Sequence, residues 1–225
     1  MVLLITMALE SDAMSLLKNL PSVNVLIYPG SGYDFLAWNL NNPMFSSKKI
    51  RQALTMAINR QELVDGLLYG YGEIAVSPEL PLLWAFNKNL KPWPYDPANA
   101  KIKLEEEGWK DSDGDGWIDK NGQPFKFSIK TNAANKLRRD ISIAIQAQLK
   151  KVGINVEILS MEWTSFIADT KKRNFESYIS GWRLNFTVNP KELWHSKYAK
   201  KPPDWDTTKN GEWKPEVHGS YNRTS

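Results

Sequence analysis

The strongest constraint on the fold comes from residues 125–159, where the spacing of apolar side chains changes twice. Residues 125–130 alternate between apolar and polar positions as a half-buried strand does, and residues 154–159 form a second strand-like run. A strand, a helix and a strand in succession predict a parallel pair joined by a right-handed crossover. The residues predicted to line one face of the intervening helix are Leu137, Ile141, Ala144, Ile145, Gln148, Leu149 and Val152.

The remaining segments extend this unit into an α/β domain. A further helix over residues 163–172 leads to a strand at residues 177–182, and earlier strands are predicted at residues 23–28 and 35–40. Residues 75–97 contain five of the 13 prolines of the chain, so we expect a long irregular loop there. The predicted fold class is α/β, with a mixed sheet flanked by helices.

Two short helices are predicted between residues 48 and 70. The first carries apolar residues at helical spacing, and the second begins after Asn59, with Glu62 three residues later as in a capping box. Gly70 ends the second helix, because glycine readily adopts the left-handed conformation found after a helix. The apolar stripe of the first helix consists of Ile50, Ala53, Leu54, Ala57 and Ile58.

Several blocks of the chain carry a family resemblance. They read WNLNNPMFSSKKIRQALTMAINRQELVDGLLYGYG from residue 38, GDGWIDKNGQPF from residue 114, EWTSF from residue 162 and YISGW from residue 178. In order and spacing they resemble the solute-binding proteins of ABC importers, and within these the oligopeptide/dipeptide-binding family 5. The resemblance extends over residues 9–196 and is strongest to the branch that binds longer peptides.

The resemblance implies a lobe like that of type II periplasmic binding proteins. It implies that residues 1–38 are a remnant of an N-terminal lobe with its crossover strand and that residues 39–196 are the C-terminal ligand-binding lobe. Residues 197–225 would be an irregular segment of the same lobe, and the chain as a whole would be a fragment. The apolar residues 1–9 are too short for a membrane span and lack the basic flank of a signal peptide.

In function, the resemblance implies a receptor that works outside the cytoplasm, either periplasmic or anchored at the cell surface. It would bind an oligopeptide, deliver it to an ABC permease in the membrane, act as a monomer, and have neither enzymatic activity nor a cofactor. An oligosaccharide ligand is the alternative, because some relatives bind sugars. In addition, tryptophan, which occurs ten times in this chain, can stack on sugar rings.

The ligand is expected beyond the ends of strands, where open α/β sheets bind their ligands. Two tryptophans end predicted strands and are the best candidates, whereas Trp163 at a helix start is assigned to the core. In the segment GWRLNFTVNP, Asn185, Thr187 and Asn189 stand where relatives place acids that can pair with a peptide amino group, and Arg183 adds a positive charge. The residues predicted to contact ligand are Trp38, Asn39, Trp182, Arg183, Leu184, Asn185, Thr187 and Asn189.

One acidic segment resembles part of a calcium-binding loop in its sequence. Asp111, Asp113, Asp115 and Asp119 repeat the first ligand positions of an EF-hand, but the twelfth position, which needs a bidentate glutamate, is Gly122. We therefore interpret the segment as a turn that joins a helix to a strand, and we predict no metal site.

Composition argues against several other functions. The chain has no cysteine and only two histidines, which makes a poor set of zinc ligands, and it has no sequence signature of a hydrolase or nucleotide-binding loop. The net charge of +4 comes from short, separated basic pairs interleaved with acids. Nucleic-acid binding needs a continuous basic face, so we predict no nucleic-acid partner.

Overall fold

The structure is a computed structural model that describes residues 19–21, 30–81 and 83–183. The strands are β1 Gly32–Trp38, β2 Asp119–Lys120, β3 Gln123–Pro124, β4 Lys126–Asn132, β5 Asn155–Met161 and β6 Ser177–Arg183. The helices are α1 Lys48–Ala57, α2 Arg60–Leu67, α3 Pro97–Glu106, α4 Lys136–Lys150 and α5 Trp163–Lys171, together with a 3-10 helix at Pro43–Phe45. No helix in these ranges combines the length and apolar character needed to cross a membrane.

The main sheet has four strands in the order β1-β6-β4-β5. Strand β4 is parallel to both β5 and β6, whereas β1 is antiparallel to β6. The predicted α/β class with a mixed sheet is confirmed, and so is the parallel strand pair around α4. Strand β1 starts three residues before the predicted one, and the strand predicted at residues 23–28 lies outside the described residues.

The strand directions give the sheet two different edges. The last residues of the three parallel strands, Asn132, Met161 and Arg183, lie at what we call the carboxyl edge, next to Gly32 at the start of β1. Trp38, at the other end of β1, lies at the opposite, amino edge. Seven residues at about 3.3 Å each separate the two edges by about 20 Å.

Helices cover both faces of the sheet, because each strand alternates buried side chains between them. One face packs against α1 and α4, and the other packs against α5 through a smaller cluster that contains Ala37, Phe166, Phe175 and Tyr178. The fully buried side chains of the larger cluster include Phe45, Leu54, Leu104, Phe125, Phe127, Ile129, Leu149 and Ile154.

Three aromatic rings join the end of β1 and the 3-10 helix to strand β4. The ring centroid of Trp38 is 4.9 Å from that of Phe45 and 5.6 Å from that of Phe127. Phe45 and Phe127 are themselves 5.2 Å apart in an edge-to-face arrangement. Offset and edge-to-face pairs of this kind stabilise beyond the area they bury, so the 3-10 helix is held firmly against β4.

A buried lysine anchors α5 to the opposite face. The ammonium group of Lys130 lies 2.6 Å from a carboxylate oxygen of Asp169 on α5 and also donates a hydrogen bond to the carbonyl of Asn174. The hydrogen bond from Lys130, and after it the one from the Asn174 amide, hold the pKa of Asp169 below its usual value. The carboxylate therefore stays ionised and pairs with the ammonium group of Lys130, whose charge would be costly to bury alone.

The start of α2 is capped from another helix. The side chain of Asn59 accepts a hydrogen bond from the backbone N–H of Glu62, as predicted. The reciprocal half of the capping box is absent, however, because the N–H of Asn59 donates to the side-chain oxygen of Gln148 on α4 at 2.8 Å. The amide nitrogen of Gln148, which is only 3% exposed, donates in turn to the carboxylate of Glu62 at 3.1 Å.

Replacing Gln148 with alanine should therefore destabilise the domain by about 1–3 kcal/mol, because the part-buried N–H of Asn59 loses its acceptor and the carboxylate of Glu62 loses a donor. Urea unfolding followed by circular dichroism measures the loss. Gln61→Ala is the matched control, since its exposed amide donates to Asp65 on the same helix, and it should change the stability by no more than about 0.5 kcal/mol. Equal effects of the two substitutions would contradict the bridging role of Gln148.

Candidate ligand-binding site

Two of the predicted ligand residues lie together at the carboxyl edge. Trp182 and Arg183 are the last two residues of β6, opposite Tyr33 and Gly32 of β1. Trp182 is half-buried, and the side chain of Arg183 is exposed. Because neighbouring residues of a strand point to opposite faces, the indole is on the α5 side of the sheet and the guanidinium on the α4 side.

A continuous series of aromatic contacts leads from Trp182 across the α5 face. The indole stacks on Phe35 with the ring centroids 6.3 Å apart and an interplanar angle of 13°. Phe35 meets Tyr178 at 5.9 Å, and Tyr178 meets Phe166 of α5 at 6.0 Å. The indole at the edge therefore rests on rings that are anchored in the core, which fixes its orientation before a ligand binds.

Trp163 ends the same series and corrects the sequence interpretation that assigns it to the core. It stacks on Phe166 with the centroids 5.8 Å apart, yet 47% of its surface is exposed. It is the first residue of α5, two positions after β5 ends, and therefore lies at the carboxyl edge. The sequence does hold a usable signal: a tryptophan directly after a strand and a helix cap sits at an edge rather than inside.

An ion pair lies on the α4 face of the carboxyl edge. The guanidinium Nε of Arg138, in the first turn of α4, donates to a carboxylate oxygen of Asp34 at 2.9 Å. The pair passes over Gly181 of β6. A β-carbon at residue 181 would clash with the carboxylate of Asp34 and come within 2.6 Å of the Arg138 guanidinium. Glycine at this position is therefore what allows β1 and α4 to be linked across β6.

The structure corrects the expected positions of Trp38 and Asn39. Trp38 is only 3% exposed in the aromatic core, and the side-chain amide of Asn39 donates to the carbonyl of Phe175 at 2.8 Å. Both lie at the amino edge, about 20 Å from Trp182. The reason is the direction of β1, which runs antiparallel to β6 and therefore ends where β6 begins.

The other predicted ligand residues lie outside the part of the chain that the structure describes. They are Leu184, Asn185, Thr187 and Asn189, which follow the last described residue of β6 in the sequence. Their contact with ligand stays a prediction. Arg183, the residue that precedes this segment, lies at the carboxyl edge next to Trp182.

The acidic loop is organised by hydrogen bonds within itself. Asp111 accepts the backbone N–H groups of Gly114 and Gly116, at 2.8 and 3.0 Å, and Asp115 accepts that of Trp117 at 2.8 Å. The exposed carboxylates of Asp111, Asp113 and Asp115 lie within 4.8 Å of one another. This pattern of side chains bonded to nearby backbone is typical of turns and supports the interpretation as a helix-to-strand connection.

Comparison with known proteins gives a consistent result. Residues 4–203 match the family described as bacterial extracellular solute-binding proteins, family 5 Middle. The oligopeptide-binding protein AppA of Bacillus subtilis is 40% identical over 184 residues, which are 80% of this chain and 34% of that protein. Di/tripeptide-binding protein 3 of Pseudomonas aeruginosa is 30% identical over 166 residues, which are 74% of this chain and 30% of that protein.

A solved structure supports the same relationship. The oligopeptide-binding protein AppA from Bacillus subtilis, in complex with a nonapeptide, superposes with a TM-score of 0.75 at 35% identity. The match covers 83% of this chain and 38% of that one. The predicted resemblance to a lobe of type II periplasmic binding proteins is thereby confirmed, and the chain spans about a third of the length of the relatives it matches.

We expect the acidic loop to stabilise the fold without calcium. Asp111→Ala should cost about 1–2 kcal/mol, because two backbone N–H groups lose their acceptor, whereas Asp113→Ala, which loses one bond of 3.3 Å, should cost less. Thermal unfolding measures both effects. The melting temperature of the unsubstituted chain should not change with millimolar calcium or a chelator; a calcium-dependent rise that Asp111→Ala abolishes would contradict the turn interpretation.

The crossing of the ion pair over Gly181 gives a second prediction. Gly181→Ala should destabilise the domain by about 1–3 kcal/mol, because the new methyl group overlaps the Asp34 carboxylate. In an Asp34→Ala background the same substitution should cost less, and a double-mutant cycle by urea unfolding measures the difference. Gly30→Ala is the control, since its added β-carbon meets nothing within 4 Å. Additive effects would show that the pair does not occupy this space.

Proposed function

Since this chain belongs to the bacterial extracellular solute-binding proteins of family 5, we propose that it forms one ligand-contacting lobe of an oligopeptide receptor. The observation that carries the proposal is the carboxyl edge, where two tryptophans from different elements present indole surface to solvent. Trp163 is about half exposed and Trp182 is half-buried, and both rest on core aromatic rings. Rigid aromatic surfaces of this kind suit the side chains of a bound peptide.

The 40% identity to an oligopeptide-binding protein favours peptide over other ligand classes. The proposed receptor closes on its ligand between two lobes and presents the closed form to an ABC permease in the membrane. We propose that it works outside the cytoplasm as a monomer, and that it binds its ligand without chemical conversion. Residues 39–196 would be the ligand-binding lobe, with residues 184–189 continuing the ligand rim beyond Arg183.

An oligosaccharide is the second candidate ligand, because indole faces also stack on sugar rings. The indole surfaces of Trp163 and Trp182 suit either ligand class. The exposed Arg183 favours peptide, since its guanidinium offers an ion pair that a neutral sugar cannot use.

The test is an NMR titration of the indole N–H signals with pools of pentapeptides and, separately, of oligosaccharides at millimolar concentration. We expect peptides to shift the signal of Trp182 and to bind more weakly than micromolar, because one wall buries only part of a ligand. Trp182→Ala should reduce the affinity at least fivefold, whereas Trp84→Ala, which removes an 87% exposed ring from the proline-rich loop, should not change it.

Three results would contradict the proposal in different ways. Binding of oligosaccharides but not of peptides would select the second candidate. Peptide binding that Trp182→Ala and Trp84→Ala reduce equally would place the site away from the carboxyl edge. Submicromolar binding by this chain would show that a second wall is not needed.

A further inference from the structure

The carboxyl edge carries a positive charge that the described acids do not neutralise, and we propose that Arg183 binds a carboxylate of the peptide ligand. The inference rests on the proposed function and adds a ligand class to it: peptides with a carboxylate next to an apolar side chain. The carboxylate is that of an acidic side chain or of the peptide C-terminus, which share the same chemistry.

The backbone around Arg183 leaves its side chain room to reach the edge. Arg183 is paired with Gly32, and a β-carbon at Gly32 would lie 3.5 Å from Cγ of Arg183 and 2.7 Å from the carbonyl oxygen of Trp182. Glycine therefore allows β1 to approach the Trp182 carbonyl of β6, and the 3.5 Å distance to Cγ places the arginine stem beside the start of β1. The guanidinium is exposed and makes no ion pair with any residue in the described ranges.

The described acids on the same face are already engaged. Asp34 accepts the Arg138 guanidinium at 2.9 Å, and this pair lies level with Gly181, about 7 Å behind Arg183 along the strand. Asp140 of α4 is paired with Lys136 at 2.8 Å. Within the part of the chain that the structure describes, a cationic amino group that approached Arg183 would therefore meet no available carboxylate, whereas an anionic group would meet the exposed guanidinium.

The remaining described acid at the edge is directed elsewhere. Glu162 follows β5, two strands away from β6, which is about 10 Å across the sheet. Its carboxylate caps α5 by accepting the backbone N–H groups of Thr164 and Ser165, at 2.6 and 3.2 Å. Residues 184–189, LNFTVN, add no acid to the sequence that follows Arg183.

Trp182 and Arg183, which are neighbours on β6, together indicate which ligand groups the edge can bind. The aromatic surface of Trp182 lies on the α5 face, and the guanidinium of Arg183 lies on the α4 face of the same edge. A peptide that crosses the edge can place an apolar side chain against the indole and a carboxylate against the guanidinium. Arginine suits this role because its planar group binds both oxygens of a carboxylate.

The experiment compares three matched pentapeptides by NMR titration of the chain. The first is acetylated and amidated, with a central glutamate next to phenylalanine. The second replaces the glutamate with glutamine, and the third is the glutamine peptide with a free C-terminal carboxylate. We expect one or both carboxylate peptides to bind about three- to fivefold more tightly than the neutral one, as expected for an exposed ion pair, and the difference to shrink at high salt.

Arg183→Gln should remove this preference, and Arg183→Lys should retain part of it. Lys126→Gln is the control, since it removes one exposed positive charge at the amino edge of the same sheet and should leave the preference unchanged. If the glutamate peptide binds more tightly than the neutral peptide, Arg183 binds an acidic side chain. If the peptide with a free C-terminus binds more tightly, Arg183 binds the C-terminal carboxylate.

The outcomes separate this inference from the proposed function. Equal affinities for all three peptides, or a preference that survives Arg183→Gln, would overturn the role of Arg183 while peptide binding stands. If Lys126→Gln reduced the preference as much as Arg183→Gln, general electrostatic attraction would replace the specific contact. Absence of binding for every peptide would overturn the proposed function and this inference together.

Discussion

The antiparallel pairing of β1 with β6 is the constraint on which the arrangement of the candidate site depends. It joins seven residue pairs, from Gly32 opposite Arg183 to Trp38 opposite Ser177. Because β1 runs against the three parallel strands, its first residues reach the carboxyl edge and its last residues enter the core at the amino edge. The same pairing therefore supplies the Phe35 ring beneath Trp182 and places Trp38 at the opposite edge of the sheet.

Most of the fold can be predicted from local patterns, because hydrophobic periodicity reports which face of an element is buried. The predicted bounds of β4, α4 and β5 lie within about two residues of those observed, which is the usual uncertainty of element ends. What the sequence cannot show are the contacts between elements distant in the chain. Gln148 falls on an apolar helical face, yet it is buried because it caps α2, and Lys130 is buried because it pairs with Asp169, 39 residues later.

The candidate site can be predicted only in part, for a related physical reason. Periodicity indicates the buried face of a strand but not the direction in which the strand runs, so Trp38 and Trp182 both stand at strand ends without any sign of which edge each end reaches. Trp182 and Arg183 are the last two residues of a parallel strand and therefore lie at the carboxyl edge. The prediction misses Trp163 because the amphipathic pattern of its helix favours a core position, although the residue directly follows a strand and a helix cap.

The hydrogen bonds between Gln148 and the first turn of α2 affect how these two helices unfold locally. Exchange of the Asn59 N–H with solvent requires its hydrogen bond to Gln148 of α4 to break, so α4 protects the start of α2. Hydrogen exchange at the start of α2 should therefore follow the exchange of α4 rather than the fraying of an eight-residue helix. We therefore expect the two helices to open as one cooperative unit, although Asn59 and Gln148 are 89 positions apart in the chain.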